Sequence, residues 1–232
     1  MATYVLVHGA WHGGWCWQRV ARLLRAKGHE VHAPTLAGVC ERSHLAHPGL
    51  GLDTHVADIV NEMTWNELKD VVLVGHSYGG LVISGVAEKM EKAIGSFVFL
   101  DAFYTEDGEA LIDMVPEAGR AAYAEAEKRG ETLMPPRAAS SFNVNAKDAA
   151  WVDRLCTPHP IKCFTQKLTL TGARERIAKK TYIRAAAYPN GPFDASRDKA
   201  RRNGWRIEDV DAGHDVMLDV PERLAGILID VA

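Results

Sequence analysis

Apolar positions in the first hundred residues fall into short β-branched runs, separated by longer stretches in which they recur at helical spacing. Short apolar runs bounded by turn residues read as buried strands, and the longer periodic stretches as amphipathic helices. Strands are therefore expected near Thr3–His8, Glu30–Thr35, Asp70–Gly75 and Ser96–Leu100, with helices near Trp15–Lys27, Asp53–Leu68 and Gly79–Lys92. Such alternation demands right-handed crossovers and a parallel sheet. After Phe103 the pattern changes: Glu109–Met114, Glu117–Arg129 and Ala146–Leu155 read as helices, divided by Gly130, Pro135-Pro136 and Pro158-His159-Pro160. The sheet resumes with Lys180–Ala187 and Trp205–Val210, and a last helix starts at Pro221, whose fixed φ suits a first helical turn. The chain thus reads as α/β, with a mostly parallel sheet of about six strands and helices on both faces. Residues 1–103 and 181–232 form the core, and 104–180 a mainly helical cap over the sheet's carboxyl edge.

The run Val71–Val74 ends in Gly75-His76-Ser77-Tyr78-Gly79-Gly80 and leads into a helix. This is a G-x-S-x-G nucleophile elbow, which projects a serine hydroxyl out of the sheet at the positive end of a helix dipole. Glycines 75 and 79 are needed because side chains there would collide with the neighbouring strand and helix. A serine hydroxyl needs a base to become nucleophilic, and the base needs a group to orient it. His214, after the last strand, stands where the chain order of nucleophile, acid and histidine puts the base; His76 is read as structural, beside the elbow. Charge developing on a tetrahedral intermediate needs two N–H donors. The amide of Tyr78 is one, and the Ala10 amide in His8-Gly9-Ala10-Trp11, after the first strand, is the other.

These residues carry a resemblance. Val5 to Trp17, together with Gly75 to Gly80, resembles the α/β-hydrolase superfamily, and within it the hydroxynitrile lyase and plant methylesterase-like branch with its bacterial esterase relatives, including carbamate-cleaving hydrolases. The similarity runs over Thr3–Phe103 and Thr181–Ala232 and is weak in the cap. It implies an α/β-hydrolase fold, Ser77 as nucleophile, His214 as base, and the Ala10 and Tyr78 amides as oxyanion hole.

The acid departs from the branch's pattern. Lyases and methylesterases usually carry it just after the strand placed at Lys180–Ala187, where this chain has no carboxylate until Asp194. The preceding core strand instead ends in Asp101, 24 residues after Ser77. Some α/β-hydrolases, such as certain haloalkane dehalogenases and the zearalenone lactonases, take their acid from that strand end. A charge closing an apolar strand needs a partner, and a histidine N–H provides one. Asp101 is therefore preferred to Asp194, which reads as a helix N-cap; Asp211 is a third candidate.

Three functions follow in order. The first is hydrolysis of a small neutral ester or carbamate through an acyl-enzyme, as in carboxylesterases. A hydroxynitrile lyase is second, disfavoured because Gly9 and Asp215 stand where such lyases resembling this chain carry threonine and lysine, and a carboxylate repels a departing anion. A non-catalytic small-ligand receptor is third. Trp11, Cys16, Met114 and Trp151 are candidate substrate-binding residues, with Tyr78, Met134, Phe142 and Phe164 as further wall.

Composition narrows the partners. With 232 residues, 47% hydrophobic and a net charge of −3, the chain has an ample core and no basic tract for nucleic acid or an anionic membrane. No apolar run approaches a bilayer span and no signal sequence precedes the first strand, so a cytoplasmic protein is expected. The four cysteines lack metal-ligand or disulfide spacing, so no metal, cofactor or disulfide is expected. The expected partner is the small-molecule substrate; a homodimer is left open.

Overall fold

Six strands run parallel through the computed structural model, which describes residues 1–232. The first half comprises β1 (Thr3–Val7), α1 (Gln18–Ala26), β2 (Glu30–His32), α2 (Leu52–Trp65), β3 (Val71–His76), α3 (Gly79–Met90) and β4 (Ile94–Leu100). The chain then leaves the sheet through α4 (Leu111–Met114), α5 (Glu117–Lys128), β5 (Leu133–Met134), α6 (Ala146–Leu155), β6 (His159–Pro160), α7 (Lys162–Thr165) and α8 (Ala173–Arg176). It returns as β7 (Lys179–Ala185), α9 (Gly191–Arg202), β8 (Arg206–Val210), α10 (Val216–Asp219) and α11 (Pro221–Asp230).

The strand order is β2-β1-β3-β4-β7-β8. Every residue of β3 is buried, and every residue of β4 except Gly95, because helices cover both faces of the sheet. Successive connections from β1 go to opposite sides, first to β2 and then to β3, so the carboxyl ends of β1 and β3 flank a topological switch point, where ligands bind in open α/β sheets. Both sequence motifs lie there.

Boundaries differ from the expected ones for local reasons. β2 stops at His32 rather than Thr35, since Pro34 has no N–H to donate to a ladder. A 3-10 turn over Gly14–Trp17 replaces the first turn expected of α1. β7 stops at Ala185, where the Tyr188 N–H folds back onto the Ala185 carbonyl. Within the cap, Met134 pairs with His159 and Leu133 with Pro160 in an antiparallel ladder. Two residues per strand leave no periodicity to read. No helix is long and apolar enough to cross a membrane.

Candidate active site

Ser77 sits between β3 and α3 with φ of +54°, in the left-handed region that side chains rarely adopt. Its N–H donates to the Leu100 carbonyl at 3.2 Å, and its own carbonyl accepts from Gly80 at 3.1 Å and Phe103 at 3.3 Å, so surrounding bonds hold the strained turn. A Cβ on Gly75 would stand 2.6 Å from the Gly79 carbonyl oxygen, and one on Gly79 2.9 Å from those of Val7 and His8. Only glycine lets strand and helix approach this closely.

His214 follows β8 and is buried; its Nδ1 lies 2.6 Å from Asp101 Oδ2. Asp101, the residue after β4, also has a left-handed φ, +43°. Its other oxygen accepts from Arg184 Nη1 at 2.8 Å and from the Ala185 N–H at 3.1 Å. With Nδ1 donating to the carboxylate, Nε2 of the neutral ring is left as the basic nitrogen. No hydrogen bond joins it to the Ser77 hydroxyl, although both residues border one cavity.

The Ala10 and Tyr78 amides donate to no acceptor in the protein. Around Ala10 the loop is pinned on all other sides. His12 Nδ1 donates to the Ala10 carbonyl at 2.9 Å, and the Trp11 N–H donates to His159 Nδ1 at 3.2 Å. Trp11 itself has φ of +66°.

The cavity measures about 330 Å³. Ala10, Ser77, Tyr78 and His214 line it together, and Trp11, Tyr123, Met134, Phe142 and Phe164 contribute apolar and aromatic surface to its lining. Arg137 is the one permanent charge in the lining, and no carboxylate borders it.

Residues 4–227 match the alpha/beta hydrolase family. The chain belongs to that family. It is 40% identical over 235 residues to a carbendazim hydrolyzing esterase of Nocardioides sp. (strain SG-4G), covering 97% of each chain. It is 26% identical to salicylic acid-binding protein 2 of Nicotiana tabacum over 257 residues, 99% of this chain and 96% of the relative. An extracellular alpha/beta-hydrolase from a Paenibacillus species has the same fold, with a TM-score of 0.89 at 24% identity and coverage of 100% of this chain and 99% of that one. The chain is an enzyme of the hydrolase type with esterase relatives.

Several sequence expectations for this hydrolase need correction. Cys16, Met114 and Trp151 do not line the cavity. Cys16 is fully buried, Met114 packs against the core, and Trp151 lies edge-on to Trp15 beneath the Arg19 guanidinium. Asp194 neither touches His214 nor caps a helix: Asn190 is the N-cap of α9, and the half-exposed Asp194 carboxylate accepts from Arg184 Nε at 3.0 Å. Asp211 is exposed. Asp215 does not face the substrate space. It is fully buried against His12, so the absence of a cation at this position, rather than repulsion across the cavity, is what separates it from the lyase pattern.

Arg184 escaped the sequence reading, yet a signal was there. It interrupts the apolar run of β7, and a cation in a strand covered on both faces needs a buried counter-charge. Buried histidines were also under-read. His55, His159 and Cys163 lie close enough to suggest a metal site, but they do not offer one. His55 Nε2 donates to the Ala37 carbonyl at 2.8 Å and Nδ1 accepts from the Tyr78 hydroxyl at 2.9 Å, while His159 Nδ1 accepts from Trp11. Neither ring keeps a free lone pair.

Burial holds His8 down to about 3 and His55 down to about 4, and it keeps His76 and His159 well below the ordinary histidine range. All four are neutral in both states above about pH 7; below about pH 6.5 the unfolded chain takes up their protons first. Each then removes about 1.4 kcal/mol of stability per pH unit, until the folded-state groups themselves titrate. His12, raised by its partner, acts oppositely: its contribution is complete below about pH 6.5 and is lost as pH rises through its folded value. Denaturant midpoints should therefore fall steeply from pH 6.5 to 4.5. A flat profile over that range would contradict the neutral buried rings.

Proposed function

We propose that this hydrolase cleaves small neutral esters or carbamates through an acyl-enzyme, with Ser77 as nucleophile, His214 as base and Asp101 as the group that orients and charges the base. His214 Nε2 takes the hydroxyl proton as Oγ attacks the carbonyl, and the Ala10 and Tyr78 amides receive the developing oxyanion. Collapse of the intermediate expels the alcohol, which takes the proton from His214. Water, deprotonated by the same ring, then hydrolyses the acyl group from Ser77. Asp101 fixes the tautomer that presents Nε2 and stabilises the imidazolium.

The observation that carries this reading is the His214 Nδ1–Asp101 contact of 2.6 Å, beside a strained serine and two amides without protein acceptors. The apolar, aromatic wall favours an acyl or leaving group with an aromatic or aliphatic body. The Nocardioides relative is named as an esterase that hydrolyses carbendazim, which supports an ester-cleaving reading of this chain.

A fluorophosphonate probe should attach stoichiometrically at Ser77, located by peptide mass spectrometry. A panel of nitrophenyl esters and aryl carbamates should then show a burst of product equal to the enzyme concentration wherever deacylation is slow. Turnover of these substrates by enzyme whose Ser77 stays unmodified in both experiments would overturn the proposal.

A further inference from the structure

His12 and Asp215 belong to no step of the proposed reaction, yet they form a buried contact under the site. His12 Nε2 lies 3.0 Å from Asp215 Oδ2, while His12 Nδ1 lies 2.9 Å from the Ala10 carbonyl. His12 is 2% exposed and Asp215 0%. Both partners of the ring are oxygen acceptors, so both ring nitrogens must carry hydrogen and His12 is an imidazolium. Burial alone would lower its affinity for a proton, but Asp215 more than offsets that and holds it well above the ordinary range. The groups facing this ring are few. Cys156 Sγ is 3.9 Å from Nδ1, the His76 ring centroid is 6.3 Å away, Trp15 stacks at 5.2 Å, and His8 and Cys16 are the remaining titratable neighbours.

We propose that the His12–Asp215 ion pair is a positioning device, which ties the loop bearing the Ala10 amide to the loop bearing His214. At one end, the peptide between Ala10 and Trp11 is held by His12 at its oxygen and by His159 at its N–H, and it directly follows the Gly9–Ala10 peptide, whose N–H has no acceptor and whose oxygen is held by His8 Nδ1 at 2.8 Å. At the other end, Asp215 directly follows His214 and opens α10, accepting from Leu218 at 2.8 Å through its carbonyl. Oxyanion donor and base come from chain segments some 200 residues apart, and the pair sets their spacing. Neither member lines the cavity. Their effect passes through Ala10 and His214, so the inference rests on the roles proposed for those two residues.

An oxyanion exists only beyond the ground state, so loosening its donor lowers kcat and leaves KM nearly unchanged. Asp215→Asn and His12→Asn should each lower kcat about 10- to 100-fold, with KM within about threefold, the size expected of an ångström-scale misplacement. The double variant should lose no more than either single one, because the two act as a unit. In wild-type protein, 15N-edited NMR of the imidazoles should show the His12 ring doubly protonated at about pH 8, and Asp215→Asn should abolish that signature. Should these variants fail to fold, His12→Gln, whose amide nitrogen can donate on one side of the ring's place while its oxygen faces the acceptor on the other, breaks the tether with a smaller loss of packing and takes over the kinetic test with the same expected fall in kcat. A singly protonated His12 ring at about pH 8 would overturn the pair, and folded variants with kcat within threefold of wild type would overturn its role. The NMR measurement uses no substrate. A Ser77 that never acylates therefore overturns the hydrolase mechanism, while the ion pair is still decided on its own.

Discussion

Ser77→Ala lowers kcat on activated esters by about 10³- to 10⁶-fold, the range seen when a member of a catalytic triad is deleted. The hydroxyl borders the cavity and makes no hydrogen bond, so its removal breaks no packing of consequence. Alanine is no better than serine at φ of +54°, but no worse, and the thermal midpoint should stay within about 3 °C of wild type. Steady-state rates with a nitrophenyl ester, together with a melting curve, check both halves. Activity within tenfold of wild type in the purified variant would sink the serine mechanism.

Asp101→Asn carries the second-largest effect, a fall in kcat of about 10³- to 10⁴-fold. The asparagine oxygen can still accept one bond, but an amide no longer favours the tautomer that presents Nε2, nor does it stabilise the imidazolium. Here the substitution also strips one buried anion from Arg184, whose Nη1 donates to Asp101 at 2.8 Å. A stability loss of about 1.5–3 kcal/mol should accompany the kinetic one, as for other hydrogen bonds to charged groups. Asp194→Asn acts on the same arginine from its exposed side and should change kcat by less than about tenfold. Equal kinetic losses in the two variants would mean that the acid has been misassigned.

These variants also mark what the chain disclosed in advance. The elbow was legible because strand, glycines and helix dictate one another locally, and Asp101 was legible because a carboxylate closing an apolar strand must find a partner. The sheet followed from strand–helix alternation. Other features depend on pairings no local pattern encodes. His12 meets Asp215 across 203 positions, and His159 meets Trp11 across 148. The cavity wall was only partly legible for a related reason. Helical periodicity in the cap identifies an apolar face without saying whether that face covers the site or the cap's own interior, and so Phe142 and Phe164 line the cavity while Met114 and Trp151 do not. The assignment of Asp194 as an N-cap erred by one helical turn, because Asn190 begins α9 earlier than the charged residue suggested.

The short cap ladder bears on how this scaffold can be re-engineered. Trp11, beside the oxyanion amide, bonds through its backbone N–H to His159 of β6 and through its indole N–H to the Met134 carbonyl of β5 at 3.1 Å. Those two residues face each other in the ladder, so the indole and backbone of one core residue grip both of its strands. A cap held this way is not a detachable module. Transplanting the segment from another family member to gain a new specificity would also replace the anchors of the oxyanion loop, so chimaeras should keep His159 and the backbone of the ladder at position 134 and exchange only the helices around them.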